Sequence, residues 1–213
     1  MREKGFTLIE LMIVIAIIVV IAAIAVPNLL AARLTANETA AIATLRTITS
    51  AQATFKTSSE VDTNNNGVGE FGSMGELAQG EPPVLASSFD KVNASGEVSR
   101  SGYYFQMFLP DNTGLGIEDV SGGGRGVTVD AEVAENTWCC YAWPVKYGKS
   151  GKRTFFVSDG GDIVHTKNSS YSGSAAGPPS NSAFAGNAGT DSITGPVALG
   201  ATGRDGQFWK LSG

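Results

Sequence analysis

Hydrophobic positions are distributed very unevenly along the chain, and the longest apolar run lies near its start. Residues 11–26 contain no charged residue, no glycine and no proline. Extended to residues 6–26, the run is about as long as the 20 residues that a helix needs to cross a bilayer. Glu10 is the charged residue inside this run, and Arg2 and Lys4 precede it. The pattern predicts a transmembrane helix whose N-terminal end is kept in the cytoplasm by the two cations.

A helical pattern continues beyond the apolar run as far as Ser59. Apolar residues recur there at spacings of three and four, which is typical of one buried helix face. They are Ala41, Ile42, Leu45, Ile48 and Phe55. As a single helix, residues 6–59 would be about 80 Å long. A small domain cannot bury that length, so we expect a globular head to cover only the second half. Pro27 is expected to kink the helix near the membrane surface.

The remainder of the chain predicts a small antiparallel sheet with long loops. Runs rich in aromatic and β-branched residues indicate strands at residues 103–109, 137–145, 153–158 and 162–166. Most of the 27 glycines follow Gly67, and the chain after Asn168 is predicted to be mainly ordered loop. The predicted fold class is therefore α+β, with a long N-terminal helix packed against a small antiparallel β-sheet head that has long glycine-rich loops.

The N-terminal sequence Gly5-Phe6-Thr7-Leu8-Ile9-Glu10, followed by the apolar helix, resembles that of type IV pilins and type II secretion pseudopilins. The resemblance implies that a prepilin peptidase cuts between Gly5 and Phe6 and methylates the new amine of Phe6. Residues 1–5 would then be a leader peptide and residues 6–27 a transmembrane and filament-core helix. Residues 28–213 would be the exported head, including the second half of the long helix.

This resemblance also implies a function and a set of partners. The chain would be a structural subunit of a type IV pilus or a type II secretion pseudopilus, in which Glu10 pairs with the amine of Phe6 on a neighbouring subunit. The characteristic helix-breaking proline of the family corresponds to Pro27. A contact of this kind does not close on itself, so it propagates a helical filament.

The implied partners are other copies and other pilin-like subunits, the prepilin peptidase, membrane lipid before assembly, and an inner-membrane assembly platform with a separate cytoplasmic ATPase. The protein would first cross the bacterial inner membrane once, with its N-terminus in the cytoplasm. It would later lie in a periplasmic or cell-surface filament.

Charge and composition exclude several other classes of function. The formal net charge is −5, and the sequence shows no basic cluster, so nucleic acid is not an expected partner. Gly148-Lys149-Ser150 resembles a phosphate loop, but Trp143 stands where such a loop requires its first glycine. His165 is the single histidine and has no nucleophile motif around it. We therefore expect a protein that is not an enzyme.

Other interpretations of the N-terminus remain open. Ala23-Ile24-Ala25 offers a cleavage site for an ordinary signal peptidase, and a plain membrane anchor would also explain the apolar run. The alternative function is a membrane-tethered exported binding protein that does not polymerise. Exposed aromatic residues around a calcium loop would favour that alternative.

A polar segment after the helix is the candidate metal site. Oxygen-bearing side chains alternate around Gly67, as in the first half of a calcium loop. They are Asp62, Asn64, Asn66 and Glu70. Ser73 stands where the bidentate glutamate of such a loop is expected. The segment is therefore either a weak Ca²⁺ site or a solvated turn.

Cys139 and Cys140 are adjacent on a predicted strand, where their side chains point to opposite faces. This predicts two free, packed thiols. The alternative is a strained disulfide between neighbours in an oxidising compartment.

The first testable prediction concerns processing. The mature protein is expected to begin at Phe6 with a methylated amine, because Gly5 lets a peptidase approach a backbone that carries no side chain. N-terminal sequencing and intact-mass measurement of the native protein test this. A mature chain beginning at Val26 would instead show that signal peptidase had acted.

Overall fold

The dominant element of the computed structural model is one helix, α1, over Leu8–Ser58. The structure describes residues 5–186 and 192–212, so Arg2, Lys4 and most of the predicted leader lie outside the described residues. The 51 residues of α1 give a length of about 77 Å. The helix continues through Pro27 and ends where Ser59 adopts a left-handed conformation, with φ of 49°. The predicted long helix is confirmed to within two residues at its start and one at its end.

The head combines two short α-helices and eight strands. The helices are α2 (Met74–Gln79) and α3 (Ala131–Ala134), with one 3₁₀ turn at Ser87–Phe89. The strands are β1 (Glu97–Arg100), β2 (Tyr103–Pro110), β3 (Gly116–Glu118), β4 (Cys139–Pro144), β5 (Thr154–Ser158), β6 (Val164–Thr166), β7 (Ala201–Thr202) and β8 (Phe208–Leu211).

All strand pairs described in the head are antiparallel, and they form one eight-stranded sheet. The order is β1-β2-β4-β5-β6-β8-β7, and β3 pairs with the second half of β2. The α+β fold class is therefore confirmed. The four predicted strands correspond to β2, β4, β5 and β6, whereas β1, β3, β7 and β8 were not predicted.

The second half of α1 packs against one face of the sheet, as predicted. Leu45, Ile48 and Phe55 are buried there against β2, β4 and β5, and Ile42 packs at the margin of the same cluster. The opposite face carries a second core, which includes Tyr141, Trp143, Phe156 and Trp209. The chain after β6 covers this second core, so the glycine-rich C-terminal region completes the head.

The adjacent cysteines of β4 divide between the two cores. Cys140 lies in the cluster that faces α1, and Cys139 lies in the cluster on the other face. Both are free and buried, so the prediction of packed thiols is confirmed and the disulfide alternative is wrong. Burial raises the pKa of both thiols, which keeps them protonated and unreactive.

The position of the buried helix face makes a prediction for stability. Leu45→Asp places a carboxylate at a fully buried position, so it should lower the free energy of unfolding by about 4 kcal/mol or more. Ser50→Asp is the matched control, because Ser50 lies on the exposed side of the same helix segment and should change stability by about 0.5 kcal/mol or less. Thermal unfolding of the detergent-solubilised chain measures both. Equal melting temperatures for the two variants would contradict the observed helix register.

Candidate processing and assembly site

The predicted cleavage site lies in an open segment just before α1. Phe6 is 93% exposed, and a Cβ placed on Gly5 would meet no atom within 4 Å. Thr7, the next residue, has an extended backbone. A peptidase therefore meets a non-helical, exposed backbone at the bond between Gly5 and Phe6, which is the access that proteolysis requires.

Thr7 and Glu10 form a reciprocal cap at the start of α1. The Glu10 carboxylate accepts hydrogen bonds from the Thr7 backbone N–H (2.8 Å) and from the Thr7 hydroxyl (2.7 Å). The Glu10 backbone N–H donates in turn to the Thr7 hydroxyl oxygen at 3.3 Å. This is a capping box, which satisfies two backbone donors that a helix start leaves open. The pattern Thr-x-x-Glu is the local sequence signal for this contact.

The first half of α1 exposes apolar side chains on every side. The large hydrophobic residues between Leu8 and Leu30 are 46–76% exposed, and the segment is long and apolar enough to cross a membrane. A helix that is hydrophobic all round belongs in lipid or among other helices rather than in water. Pro27 lies near the end of this segment, and it removes one backbone donor from the helix ladder.

The polar loop after α1 is organised around Asp62. Its carboxylate accepts hydrogen bonds from the backbone N–H groups of Asn66 (3.1 Å) and Gly67 (2.9 Å). Gly67 has φ of 86°, which a residue with a side chain rarely adopts. The carboxamide nitrogens of Asn64 and Asn66 both donate to Oε1 of the buried Glu135, at 2.9 and 2.7 Å. Three predicted site residues are thus brought together with one unpredicted carboxylate.

Glu70, the fourth predicted metal residue, has different partners. Its carboxylate is buried, accepts from the Thr63 backbone N–H at 2.7 Å and pairs with Arg125. Arg125 also contacts Glu76 at 3.1 Å and the Phe71 carbonyl oxygen at 3.0 Å. Within residues 5–186 and 192–212, no three His, Cys, Asp or Glu side chains converge as metal ligands do. The calcium site stays a prediction.

His165 and Lys149 lie at the surface of the head. His165 is a half-buried residue of β6, and its Nδ1 lies 2.9 Å from the Ser212 hydroxyl. Lys149 belongs to the turn that precedes β5, where its backbone N–H donates to the Lys146 carbonyl oxygen at 3.0 Å. A strand residue and a turn residue are what the sequence predicted at these two positions.

Two family models match the chain. Residues 1–26 match the one described as "Prokaryotic N-terminal methylation motif", and residues 22–176 match the one described as "Protein of unknown function (DUF2950)". No solved structure matches the chain.

Two curated relatives are similar to the chain over part of its length. The type IV wide pilus major component PilA4 of Thermus thermophilus is 50% identical over 64 residues, which are 30% of this chain and 49% of that protein. The type IV major pilin protein PilA of Myxococcus xanthus is 46% identical over 54 residues, which are 25% of this chain and 24% of that protein. The chain thus spans about half the length of the first relative and about a quarter of the second. It belongs to the DUF2950 family of proteins of unknown function, and its N-terminal segment makes it a type IV pilin-family protein.

Proposed function

We propose that this protein is a structural subunit of a type IV pilus. The observation that carries the proposal is the first half of α1, which is apolar on all sides and lies largely within the residues 1–26 that match the N-terminal methylation motif. The two relatives named as pilus components favour a pilus over a secretion pseudopilus. The role is structural rather than catalytic, because a filament subunit acts through its contacts with other subunits.

The physical basis of assembly is an exchange of apolar surroundings. Lipid covers the first half of α1 while the subunit is stored in a membrane, and transfer of that surface to water would be strongly unfavourable. Equivalent helices from other subunits can replace the lipid without exposing the surface. The subunit therefore leaves the membrane into a bundle of identical helices, and repetition of this contact gives a helical filament.

Glu10 directs the register of that bundle in this proposal. Its Oε2 atom is engaged by Thr7, and its Oε1 atom accepts no hydrogen bond from the described residues. Cleavage after Gly5 would create a cationic amine on Phe6, and the same amine on a neighbouring subunit can pair with Oε1. A carboxylate in apolar surroundings is strongly stabilised by such a cation, so the pair selects one axial offset between subunits.

The processing and assembly partners follow from the same proposal. A prepilin peptidase would remove residues 1–5 and methylate Phe6, and an inner-membrane platform driven by a separate cytoplasmic ATPase would extract the subunit. The protein would cross the bacterial inner membrane once before assembly, with residues 6–27 in the bilayer and residues 28–213 exported. The filament would then extend from the cell surface.

The alternative, a tethered binding protein that does not polymerise, requires a recognition surface. Exposed aromatic side chains around the polar loop would favour it. In the described part of that loop, the large exposed hydrophobic residue is Val68, at 43% exposure, and it is not aromatic. This alternative is therefore the less favoured one.

Substitutions at the N-terminal cap test the pairing of Glu10. Glu10→Val should keep the protein in the membrane but prevent filament formation, because it removes a charge that costs roughly 2.5–3.5 kcal/mol to insert and also removes the partner of the amine. Glu10→Gln keeps the shape of the side chain and should show the same loss. The measurements are the yield of sheared filaments and the amount of protein in membranes, in cells without a wild-type copy.

Thr7→Val is the matched control for that experiment. It removes the hydroxyl that contacts Glu10 but leaves the carboxylate, so filament yield should stay within about twofold of wild type. If Thr7→Val abolishes filaments and Glu10→Gln, whose amide oxygen can still accept from Thr7, keeps them, Glu10 acts as a helix cap rather than as a charge partner. Normal filament yield with Glu10→Val would disprove the pairing.

The calcium prediction is tested on the same full-length chain in detergent. Asp62→Ala should lower the melting temperature without metal, because two backbone N–H groups lose their acceptor. If the loop binds Ca²⁺ in the ~10⁻⁴–10⁻³ M range of extracellular modules, millimolar calcium should raise the melting temperature of the wild type. Asp62→Asn keeps one of the two acceptor oxygens and removes the charge, so it should lower the melting temperature less than Asp62→Ala and should lose the calcium effect. Identical curves for the wild type with and without calcium would leave a turn with no metal.

A further inference from the structure

The charged residues of the head are distributed unequally along the sequence. Residues 59–142 carry 13 acidic and three basic residues, whereas residues 143–212 carry seven basic and four acidic ones. The sequence shows no basic cluster because the cations of the second segment are widely spaced. The sheet brings part of them together.

Three lysines of this segment form one edge of the head beside α1. Lys152 and Lys167 line a cavity together with Leu34 of α1, and Lys167 and Lys210 line a neighbouring cavity together with Phe208. Lys210 lies on β8 in register with His165 of β6. We call Lys152, Lys167 and Lys210 the basal edge.

The charges of the basal edge are not neutralised by the rest of the chain. All three lysines are exposed, and none forms an ion pair with another described residue, whereas the nearby Arg153 pairs with Glu38 at 2.7 Å. The pKa of His165 is lowered by its partial burial and then by the charges of Arg153, Lys167 and Lys210, and only the carboxylate of Glu38, which is paired with Arg153, acts in the opposite direction. The potential around the basal edge is therefore positive.

The basal edge lies close to the point where α1 would leave a membrane. In the proposed topology residues 6–27 lie in the bilayer, so α1 leaves the hydrocarbon layer near Pro27. Leu34 is the first residue of α1 that the head partly covers. The seven residues from Pro27 to Leu34 correspond to about 10 Å, and the headgroup layer on one side of a bilayer is about 5–8 Å deep, so the long lysine side chains have only a few ångströms to bridge. Lysine side chains at this height are within reach of lipid headgroups.

We propose that the basal edge binds the headgroups of anionic phospholipids while α1 is held in the membrane. Phe208 supports this occupant, because it is 49% exposed and its ring lies 5.8 Å from the Lys210 ammonium. An exposed apolar ring beside a cation offers a membrane surface an apolar contact and an electrostatic one, the combination by which interfacial segments bind anionic lipid. The proposal depends on α1 spanning a membrane and not on polymerisation, so it goes beyond the proposed function.

The contact has a consequence for the stored subunit. It holds the head against the membrane surface in one orientation, and it must be released when the subunit is extracted. Each lysine near an anionic surface strengthens binding by roughly fivefold, and the three together by on the order of a hundredfold. The contact should therefore depend on lipid charge and weaken in high salt.

Lysine footprinting of the full chain tests the proposal. The chain is reconstituted into vesicles of phosphatidylcholine alone or with about one third phosphatidylglycerol, treated with an amine-acetylating reagent and analysed by mass spectrometry. Acetylation of Lys152, Lys167 and Lys210 should be at least about fivefold slower with phosphatidylglycerol, and added salt should restore it. Lys91 is the internal reference, because it lies near the other end of the head. The carbonyl oxygen of the adjacent Val92 accepts a hydrogen bond from the Gly122 N–H, and Gly122 lines a cavity together with Phe55, near the C-terminal end of α1.

Variants give a second, independent measurement by hydrogen exchange. Residues 208–211 should gain protection with phosphatidylglycerol in the wild type, and the triple variant Lys152→Gln, Lys167→Gln, Lys210→Gln should lose that gain. The control is the triple variant Arg46→Gln, Lys91→Gln, Arg100→Gln, which removes the same charge from other exposed positions. This control should keep the gain in protection of residues 208–211.

Two results would overturn the proposal. Equal acetylation rates in both types of vesicle would show that the basal edge does not contact lipid. Protection that increases with protein density instead of phosphatidylglycerol would show that a neighbouring copy of the chain covers it. Neither result depends on filament yield, so the proposed function is tested separately.

Discussion

The half of α1 that the head does not cover is the constraint on which the rest of the molecule depends. The helix is about 77 Å long, but the head covers it only from Leu34 onward. Full burial of one large aliphatic side chain is worth about 1.5–3 kcal/mol, and residues 8–30 present more than a dozen of them. The total is tens of kcal/mol, which exceeds the stability of an ordinary domain. This segment therefore needs lipid or other helices at every stage.

The second half of α1 is held to the head so that its orientation about its own axis is fixed. The buried Gln52 side chain donates to the Gly72 carbonyl oxygen at 2.7 Å and accepts from the Gly72 N–H at 2.9 Å. A Cβ on Gly72 would lie 2.7 Å from the ring of Phe55, so glycine is needed for this approach. Together with the pair between Glu38 and Arg153 lower on the helix, these contacts couple head and helix as one unit. The face that the first half presents to a neighbour is thereby set by the head.

The elements with strong local patterns were predictable from the sequence, and those that depend on distant pairing were not. The apolar stripe of α1 and the aromatic strands β2, β4 and β5 carry their own periodicity. By contrast, β1 has the sequence Glu-Val-Ser-Arg, which forms a strand because β2 offers it backbone partners. Prediction of the candidate sites had the same limit. The N-terminal motif is local and was found, whereas the contact between Glu135 and Asn66 joins residues 69 positions apart, so no local spacing indicates it.

The cap between Thr7 and Glu10 clarifies which interaction can drive assembly. Both donors of Thr7 belong to the same chain as Glu10, so they are present in the membrane and in a filament alike. A contact that is equal in two states cannot shift the equilibrium between them.

The cap lowers the cost of placing a carboxylate at the edge of the bilayer, but it leaves one oxygen without a donor among the described residues. Only a group that arrives with the neighbouring subunit can favour the filament, and a cation gains most from a carboxylate in apolar surroundings. The free energy that selects assembly is therefore expected from the new charge pair. The role of Thr7 is to lower the free-energy cost of holding the Glu10 carboxylate in the membrane before assembly.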